Sequence, residues 1–163
     1  MSDVTMRTNE SLLLLDQTFA DCAQAIDALA GLAKAQGLVE DPFLEKIQQR
    51  EIEYPTGLAM PIPLAIPHIS DGCLQPFVSI ATLKTPVIFK SMDHSGDDVP
   101  VEIVFLFGII NPQDQLPVLR KFAKSFSKKE SVEKLLAAST PAAFLAELEE
   151  MLEGLLNIDA TNS

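Results

Sequence analysis

The spacing of apolar side chains along the chain predicts a first strand followed by a helix. A short apolar run at residues 12–15 favours a strand. Between about residues 21 and 35, apolar side chains recur every three or four positions, which predicts an amphipathic helix with one buried face. We expect this helix to end at Gly37, because glycine readily adopts the left-handed conformation of a helix C-cap.

Polar residues followed directly by proline predict the starts of three further helices, because a capping side chain and a proline both suit the first turn. The three pairs are Asp41-Pro42, Asn111-Pro112 and Thr140-Pro141. Ser127 and Glu130 have the spacing of a capping box and predict another short helix that ends near Ala138. The second of the three helices should bury an apolar stripe. The members of that stripe are Leu116, Leu119, Phe122, Ala123 and Phe126.

Apolar runs in the middle of the chain predict three strands, at about residues 77–83, 87–91 and 101–110. The third run is apolar almost throughout, which indicates a central strand buried on both faces. Polar residues and a glycine at 93–98 predict a turn, so the second and third strands should pair antiparallel. The interleaved pattern predicts the α/β class, with a mixed β-sheet flanked by helices. We expect one layered domain over residues 1–163, with a polar tail after about residue 158.

The segment between residues 54 and 68 has too many prolines for a helix or a regular central strand. Its conformationally special residues are Pro55, Gly57, Pro61, Pro63 and Pro67. We therefore expect a shaped loop. Pro67 fixes its own backbone and restricts Ile66 before it, so His68 should be held in a defined position.

Charge and composition narrow the classes of function. The formal net charge of −11 argues against nucleic acid and anionic membranes as partners. Half of the 12 basic residues nevertheless lie in one stretch, residues 120–134. No apolar run is long enough to cross a bilayer and the N-terminus lacks the pattern of a signal peptide, so we expect a soluble, cytoplasmic protein with no membrane insertion.

Cofactor chemistry receives no support from the sequence. Glycine-rich phosphate loops of the Walker or Rossmann type are absent. Cys22 and Cys73 are far apart and only two histidines are present, which argues against a structural zinc site. We therefore expect neither a cofactor nor a metal.

The two histidines and one arginine are the candidates for chemistry. Taken alone, His68 is either a nucleophile or a residue that caps its loop through a backbone hydrogen bond, and His94 is most simply a solvated turn residue. Arg50 lies seven residues after Phe43, which predicts a place on the inward face with Phe43 and Ile47. There it would either bind an anion or interact with the C-terminus of its own helix.

Three motifs taken together are more specific than any single residue. They are Arg50-Glu51, Tyr54-Pro55-Thr56-Gly57-Leu58 and Ala65-Ile66-Pro67-His68. In this order they resemble the enzyme IIA signature of the fructose/mannitol class of the bacterial phosphoenolpyruvate-dependent sugar phosphotransferase system. The later segment Asn111-Pro112-Gln113-Asp114-Gln115-Leu116 is similar to the galactitol-type branch of that class.

The resemblance implies a protein histidine phosphotransferase. His68 would take a phosphoryl group from the carrier protein HPr and pass it to an enzyme IIB, and a membrane enzyme IIC would couple the cascade to uptake of a galactitol-like sugar. The planar, permanently charged guanidinium of Arg50 would match the phosphoryl oxygens. Many members of the class carry a second histidine where this chain has Gln115, which can donate a hydrogen bond to phosphate but cannot be cationic.

Two other readings of the sequence remain open. The protein could be a regulatory interaction protein that signals the phosphorylation state of His68, with the basic stretch at residues 120–134 as its docking face. It could also be a degenerate scaffold that is not phosphorylated.

Overall fold

The computed structural model of the protein describes residues 4–158. The helices are α1 (Cys22–Ala35), α2 (Asp41–Glu53), α3 (Pro112–Ser125), α4 (Lys129–Leu136) and α5 (Pro141–Met151), and a short 3-10 helix covers Glu10–Leu12. The strands are β1 (Met6–Thr8), β2 (Leu13–Gln17), β3 (Gly57–Leu58), β4 (Leu64–Ala65), β5 (His68–Ile69), β6 (Phe77–Lys90), β7 (Asp98–Gly108) and β8 (Leu156–Ile158). The polar tail predicted after residue 158 lies outside the described residues.

The strands of the described chain form one mixed β-sheet, as the sequence predicted. Its order is β3-β4-β7-β6-β1-β8, with β2 also paired to β6 and β5 also paired to β7. β6 and β7 are antiparallel, whereas β1 and β2 run parallel to β6, and β4 and β5 run parallel to β7. The predicted hairpin therefore forms the centre of the sheet.

β6 is one long strand where the sequence predicted two. The ladder with β7 shifts its register between Thr82 and Val87, and residues 84–86 of this interval are exposed. Pro86 lies in this interval and has no N–H to donate, so the regular ladder is interrupted there. The chain nevertheless stays extended through the irregularity, which explains why two apolar runs belong to a single strand.

Helices cover both faces of the sheet and enclose two apolar clusters. On one face, Phe105 and Phe107 of β7 pack against Phe122 of α3 with ring centroids 4.6 and 4.7 Å apart. On the other face, Leu106 belongs to the cluster of α1 and α2 that includes Phe43. β7 is thus buried on both faces, as predicted. This buried strand is the rigid element against which the loop before His68 is placed.

Some of the helix caps in the structure agree with those predicted from the sequence. Asp21 caps α1 by accepting a hydrogen bond from the Gln24 amide at 2.9 Å, and Thr140 caps α5 in the same way from the Ala143 amide at 3.1 Å. Gly37 follows α1 with a φ of 72°, the conformation expected of it. The predicted roles of Thr140 and Gly37 are thus confirmed, whereas capping by Asp21 was not among the predictions.

Two capping predictions were wrong because the side chains have other partners. Asp41 is the first helical residue of α2 instead of its cap, and its carboxylate forms an ion pair with Lys34 of α1. The Ser127 hydroxyl donates to the Lys124 carbonyl oxygen at 2.7 Å, which closes α3 instead of opening α4. Lys128 occupies the N-cap position of α4 without a side-chain capping bond.

The amphipathic pattern of α3 also differs from the prediction at its first turn. Leu119 and Phe122 are buried and Phe126 caps the helix end in the core, but Leu116 is 56% exposed. The other residues of this first turn are exposed or half-buried as well, and Gln115 lines a neighbouring cleft. Within residues 4–158, the helices are all too short or too polar to cross a membrane.

Candidate active site

His68 lies beside the central strand β7 although it follows a proline-rich loop. It begins β5, which pairs parallel with β7 so that His68 is opposite Phe107. The Phe107 amide donates to the Pro67 carbonyl oxygen at 2.9 Å, and the Ile109 amide donates to the Ile69 carbonyl oxygen at 3.1 Å. These bonds on either side of His68 fix its backbone to the most buried strand. The residue itself is only 6% exposed.

One hydrogen bond sets the chemical state of the His68 ring. Nδ1 lies 2.7 Å from the carbonyl oxygen of Ile66, and because a carbonyl oxygen can only accept, Nδ1 must carry the proton. In the neutral ring Nε2 then holds the lone pair. Burial lowers the pKa of His68, the bond to Ile66 opposes this change, and the positive charge of Arg50 lowers the pKa further. The ring is therefore favoured in the neutral form, which is a usable nucleophile.

Arg50 does not lie on the inward face of α2, contrary to the prediction. The buried stripe of the helix consists of Phe43, Ile47 and Glu51, at spacings of four residues, and Arg50 is exposed. Its guanidinium carbon lies 4.4 Å from the centre of the Tyr54 ring. Arg50 thus points away from the core, where a charged ligand can reach it.

A cleft of about 260 Å³ brings the predicted phosphate-binding residues together. Arg50 and Gln115 both line it, although α2 and α3 are far apart in the sequence, and so do Ile69 and Ser70 directly after His68. Its other lining residues are Lys46, Gln49, Glu53 and Asp71, and Lys46 and Asp71 form an ion pair at 3.5 Å. Gln115 is half-buried in the first turn of α3. The cleft therefore offers one guanidinium, two side-chain amides and one partly neutralised ammonium to an anion, and it also holds the Glu53 carboxylate.

Glu51 supports the site from beneath, a role that the sequence analysis did not assign. Its buried carboxylate accepts hydrogen bonds from the Thr56 amide at 2.8 Å and from the Thr56 hydroxyl at 2.7 Å. The Thr56 carbonyl oxygen in turn accepts from the Ile66 amide at 3.3 Å, and the Ile66 carbonyl holds the His68 ring. Burial raises the pKa of Glu51 to about 7, although both bonds from Thr56 act to lower it.

Gly57 completes this support because only glycine fits at its position. A Cβ atom there would lie 2.7 Å from the Lys90 carbonyl oxygen of β6, far inside van der Waals contact. The Thr-Gly motif is therefore explained by packing, with Thr56 held by Glu51 and Gly57 pressed against the strand. The signal for Glu51 was in the sequence: it is the residue that continues the four-residue spacing from Phe43 and Ile47.

His94 lies in the turn between β6 and β7 and has a different environment. It is exposed, its φ is 61°, and its ring contacts Tyr54 edge to face, with centroids 6.1 Å apart and planes at 85°. Neither His68 nor His94 is among the residues that line the cleft, but Ile69 and Ser70 directly after His68 are. His94 is connected to the cleft through Tyr54, over whose ring the Arg50 guanidinium lies.

The fold and the site together define a class of protein that comparison with known sequences identifies. The family described as "Phosphoenolpyruvate-dependent sugar phosphotransferase system, EIIA 2" matches residues 6–151, which is most of the chain. The chain belongs to this family. The resemblance inferred from the motifs around Arg50, Thr56 and His68 is thereby confirmed.

Individual relatives agree with this assignment. The chain is 31% identical over 131 residues to the mannitol-specific phosphotransferase enzyme IIA component of Halalkalibacterium halodurans, covering 80% of this chain and 86% of the relative. It is 29% identical over 120 residues to the galactitol-specific EIIA component of Escherichia coli K12, covering 73% and 80% respectively. Multiphosphoryl transfer proteins of Escherichia coli also match at 29% identity over 143 residues, but the chain spans only 17% of their length.

Solved structures with the same fold include a complex. The mannitol enzyme IIA of Escherichia coli, solved together with phosphorylated enzyme IIB, superposes with a TM-score of 0.65 at 20% identity, covering 88% of this chain and 95% of that one. The nitrogen regulatory protein IIA-Ntr of Neisseria meningitidis gives a TM-score of 0.70 at 24% identity, covering 88% and 96%. At these identities the likeness establishes the α/β fold of this family.

Proposed function

We propose that this chain is a phosphocarrier of the sugar phosphotransferase system that accepts a phosphoryl group on Nε2 of His68. One observation carries the proposal: the His68 ring is buried in the sheet with Nδ1 bonded to the Ile66 carbonyl, next to a cleft that contains Arg50. A fixed tautomer and an adjacent cation are the two requirements for a histidine that must take and release a phosphoryl group.

The transfer needs little from the protein beyond alignment and charge. The Nε2 lone pair forms the new N–P bond as the N–P bond of the donor breaks, and that electron pair returns to the donor imidazole. The Nδ1 proton stays in place, held by Ile66. Arg50 offers its planar fork to the phosphoryl oxygens, and Gln115 donates one neutral hydrogen bond from the first turn of α3, where the helix dipole also favours an anion.

The partners follow from the family. HPr would be the phosphoryl donor, an enzyme IIB the acceptor, and a membrane enzyme IIC the final consumer, with neither nucleic acid nor membrane bound by this chain itself. The solved assembly of a mannitol enzyme IIA with phosphorylated enzyme IIB supports the second step. The galactitol-specific relative supports a galactitol-like sugar. We place the whole chain in the cytoplasm, as one domain.

A reconstituted relay tests this function. The protein is incubated with phosphoenolpyruvate, enzyme I and HPr, and an enzyme IIB is then added. We expect one phosphoryl group per chain, stable in alkali and lost in acid, and its discharge on addition of enzyme IIB. Failure to accept phosphate from phospho-HPr, with a known enzyme IIA phosphorylated in a parallel reaction, would refute the proposal.

A regulatory role is the second candidate, and the basic surface of α3 and α4 favours it. Within residues 4–158, no carboxylate lies within ion-pair distance of Arg120, Lys124, Lys128 or Lys129. Such a surface suits an acidic partner. If the role is regulatory, reversing the charge of Lys124 and Lys128 should abolish the cellular effect of the protein and leave transfer to enzyme IIB intact. Normal cellular effects in that variant would remove this candidate.

A further inference from the structure

Arg50 is held by an aromatic ring, and that ring is held by the second histidine. The guanidinium lies 4.4 Å from the centre of the Tyr54 ring, and His94 meets the other part of that ring edge to face at 6.1 Å. Within the described residues, Arg50 makes no ion pair, so Tyr54 is the recorded side-chain contact of its guanidinium. The three residues form a continuous chain of contacts that leads from His94 to the Arg50 side of the cleft.

The backbone around Tyr54 is tightly fixed. Its amide donates to the Arg50 carbonyl oxygen at 2.6 Å and so closes the last turn of α2. Two residues later, Thr56 is bonded twice to the buried Glu51. Tyr54 is therefore anchored on both sides, and its ring is a stable surface although 44% of the residue is exposed.

The turn that carries His94 is attached to the same segment. The Met92 amide donates to the Gly57 carbonyl oxygen at 2.8 Å, and Ser91 forms a bridge with Gly57. The Ser91 amide also donates to the Asp97 carbonyl oxygen at 2.9 Å, which closes the turn around His94. The turn between β6 and β7 thus cannot move independently of the Thr-Gly motif, and it presents His94 to Tyr54.

We infer that Tyr54, supported by His94, is a positioning residue that orients Arg50 toward the phosphoryl group. This inference rests on the proposed phosphocarrier function. An exposed arginine has many rotamers, and a stacking contact on a fixed ring selects among them before the phosphoryl group arrives. A guanidinium whose carbon lies over the ring can still direct its N–H groups toward phosphoryl oxygens. His94 thus contributes to the reaction without touching the reacting atoms.

Two substitutions at Tyr54 distinguish the effect of its aromatic ring from the effect of its apolar volume. Tyr54→Phe keeps the aromatic face, whereas Tyr54→Leu keeps an apolar side chain without it. We expect single-turnover transfer from saturating phospho-HPr to fall about two- to fivefold in Tyr54→Leu, the range of an exposed cation–π contact, and to be restored in Tyr54→Phe. The HPr concentration at half-maximal rate should not change. Ile88→Ala, at a site 48% exposed on β6, is the control and should transfer normally.

A double-mutant cycle tests whether Tyr54 acts through Arg50. In an Arg50→Gln background, Tyr54→Leu should have no further effect on the transfer rate, because the group that it positions is absent. Multiplicative losses in the double variant would show that Tyr54 acts by another route and would overturn the inference. So would equal transfer rates in Tyr54→Leu and Tyr54→Phe.

A spectroscopic readout is independent of transfer. In wild type and Tyr54→Phe, the ring current should shift the NMR signals of the Arg50 δ-protons upfield, and the shift should vanish in Tyr54→Leu and shrink in His94→Ala. An unshifted Arg50 in the wild-type protein would contradict the inference. His68→Ala separates failure of the proposed function from failure of the inference about Tyr54. If His68→Ala still accepts phosphate, the proposed function is refuted. If His68→Ala is inactive but Tyr54→Leu transfers at the normal rate, only the positioning role of Tyr54 is rejected.

Discussion

The two histidines of this chain occupy regions that differ in almost every physical respect. His68 is 6% exposed, pairs with the central strand and has a tautomer fixed by the Ile66 carbonyl. His94 lies exposed in a turn, in a left-handed conformation, with the Tyr54 ring and the Asp93 carboxylate as neighbours. We therefore expect His68 to be the phosphoacceptor, because it combines a fixed backbone, a defined lone pair and a neighbouring cation, which residue type alone does not provide.

Removing each histidine in turn gives the largest expected contrast. His68→Ala should abolish acceptance of phosphate from phospho-HPr, because no other group offers a fixed Nε2 lone pair beside Arg50. His94→Ala should still be phosphorylated to one group per chain, only more slowly. Radiolabelled phosphoenolpyruvate with enzyme I and HPr measures both. Phosphate incorporation in His68→Ala would erase the distinction between the two regions.

Replacing Arg50 by lysine tests the cation of the His68 region. The substitution keeps the charge but loses the planar fork, so transfer should slow by about tenfold or more, as expected for the loss of charge-assisted hydrogen bonds. The thermal midpoint should hardly change, since the side chain is exposed. Arg120→Lys, on the exposed side of α3, is the matched control. Equal rates in wild type and Arg50→Lys would assign Arg50 a structural role only.

Glu51 gives the His68 region a stability that depends on pH, because its carboxyl group titrates. This buried group distinguishes the His68 region from the exposed His94 turn. In the folded protein its pKa is raised to about 7 from 4.5, so the native state binds more protons between these values. The Glu51 contribution to the free energy of unfolding therefore falls as pH rises from about 4.5 to about 7, by up to ~3 kcal/mol.

Glu51→Gln isolates this contribution because it keeps an acceptor for Thr56 and cannot titrate. Urea unfolding of both proteins at pH 5 and pH 8 measures the effect. Relative to Glu51→Gln, the wild-type protein should be more stable at pH 5 than at pH 8. His68, with its lowered pKa, contributes in the opposite direction in both proteins and cancels from the difference. A difference that does not change with pH would show that Glu51 is ionised throughout.

Gln115 gives the smallest expected effect. Gln115→Ala removes one neutral hydrogen bond to the phosphoryl group, worth about 0.5–1.5 kcal/mol, so transfer should slow by about two- to tenfold. Gln115→His should be tolerated and should add a dependence of the rate on pH between about 6 and 7. Gln113→Ala, exposed in the same helical turn, is the control. A rate in Gln115→Ala equal to that of the control would show that the amide does not contact phosphate.

The parts of the fold that depend on local pattern could be predicted from the sequence. The periodicity of apolar residues was sufficient to predict α1, and the continuous apolar run was sufficient to predict β7. In each case the pattern of the element's own side chains determines its structure. The short strands β4 and β5 could not be predicted, since strands of two residues carry no periodic signal. They exist because β7 offers its edge to them. β1 and β8 likewise depend on each other's pairing.

The candidate site, too, could be predicted only in part from the sequence. The motif marked His68 as the candidate phosphoacceptor, which stays a prediction. The predicted face of Arg50 was wrong, because a spacing of seven from Phe43 was preferred to the spacing of four that leads through Ile47 to Glu51. A single step of 100° along a helix decides whether a charged side chain meets a threonine in the core or a ligand in a cleft. The contact between His94 and Tyr54 joins two loops, and no sequence spacing encodes it.

The most direct test of the account is to find which ring nitrogen carries the phosphoryl group. The protein, labelled with ¹⁵N at histidine, is phosphorylated by phosphoenolpyruvate, enzyme I and HPr, and long-range ¹H–¹⁵N spectra are recorded before and after. The account predicts that Nε2 of His68 is phosphorylated, that Nδ1 keeps its proton, and that the His94 signals show no N–P bond. Phosphorylation on Nδ1 of His68, or on His94, would contradict it.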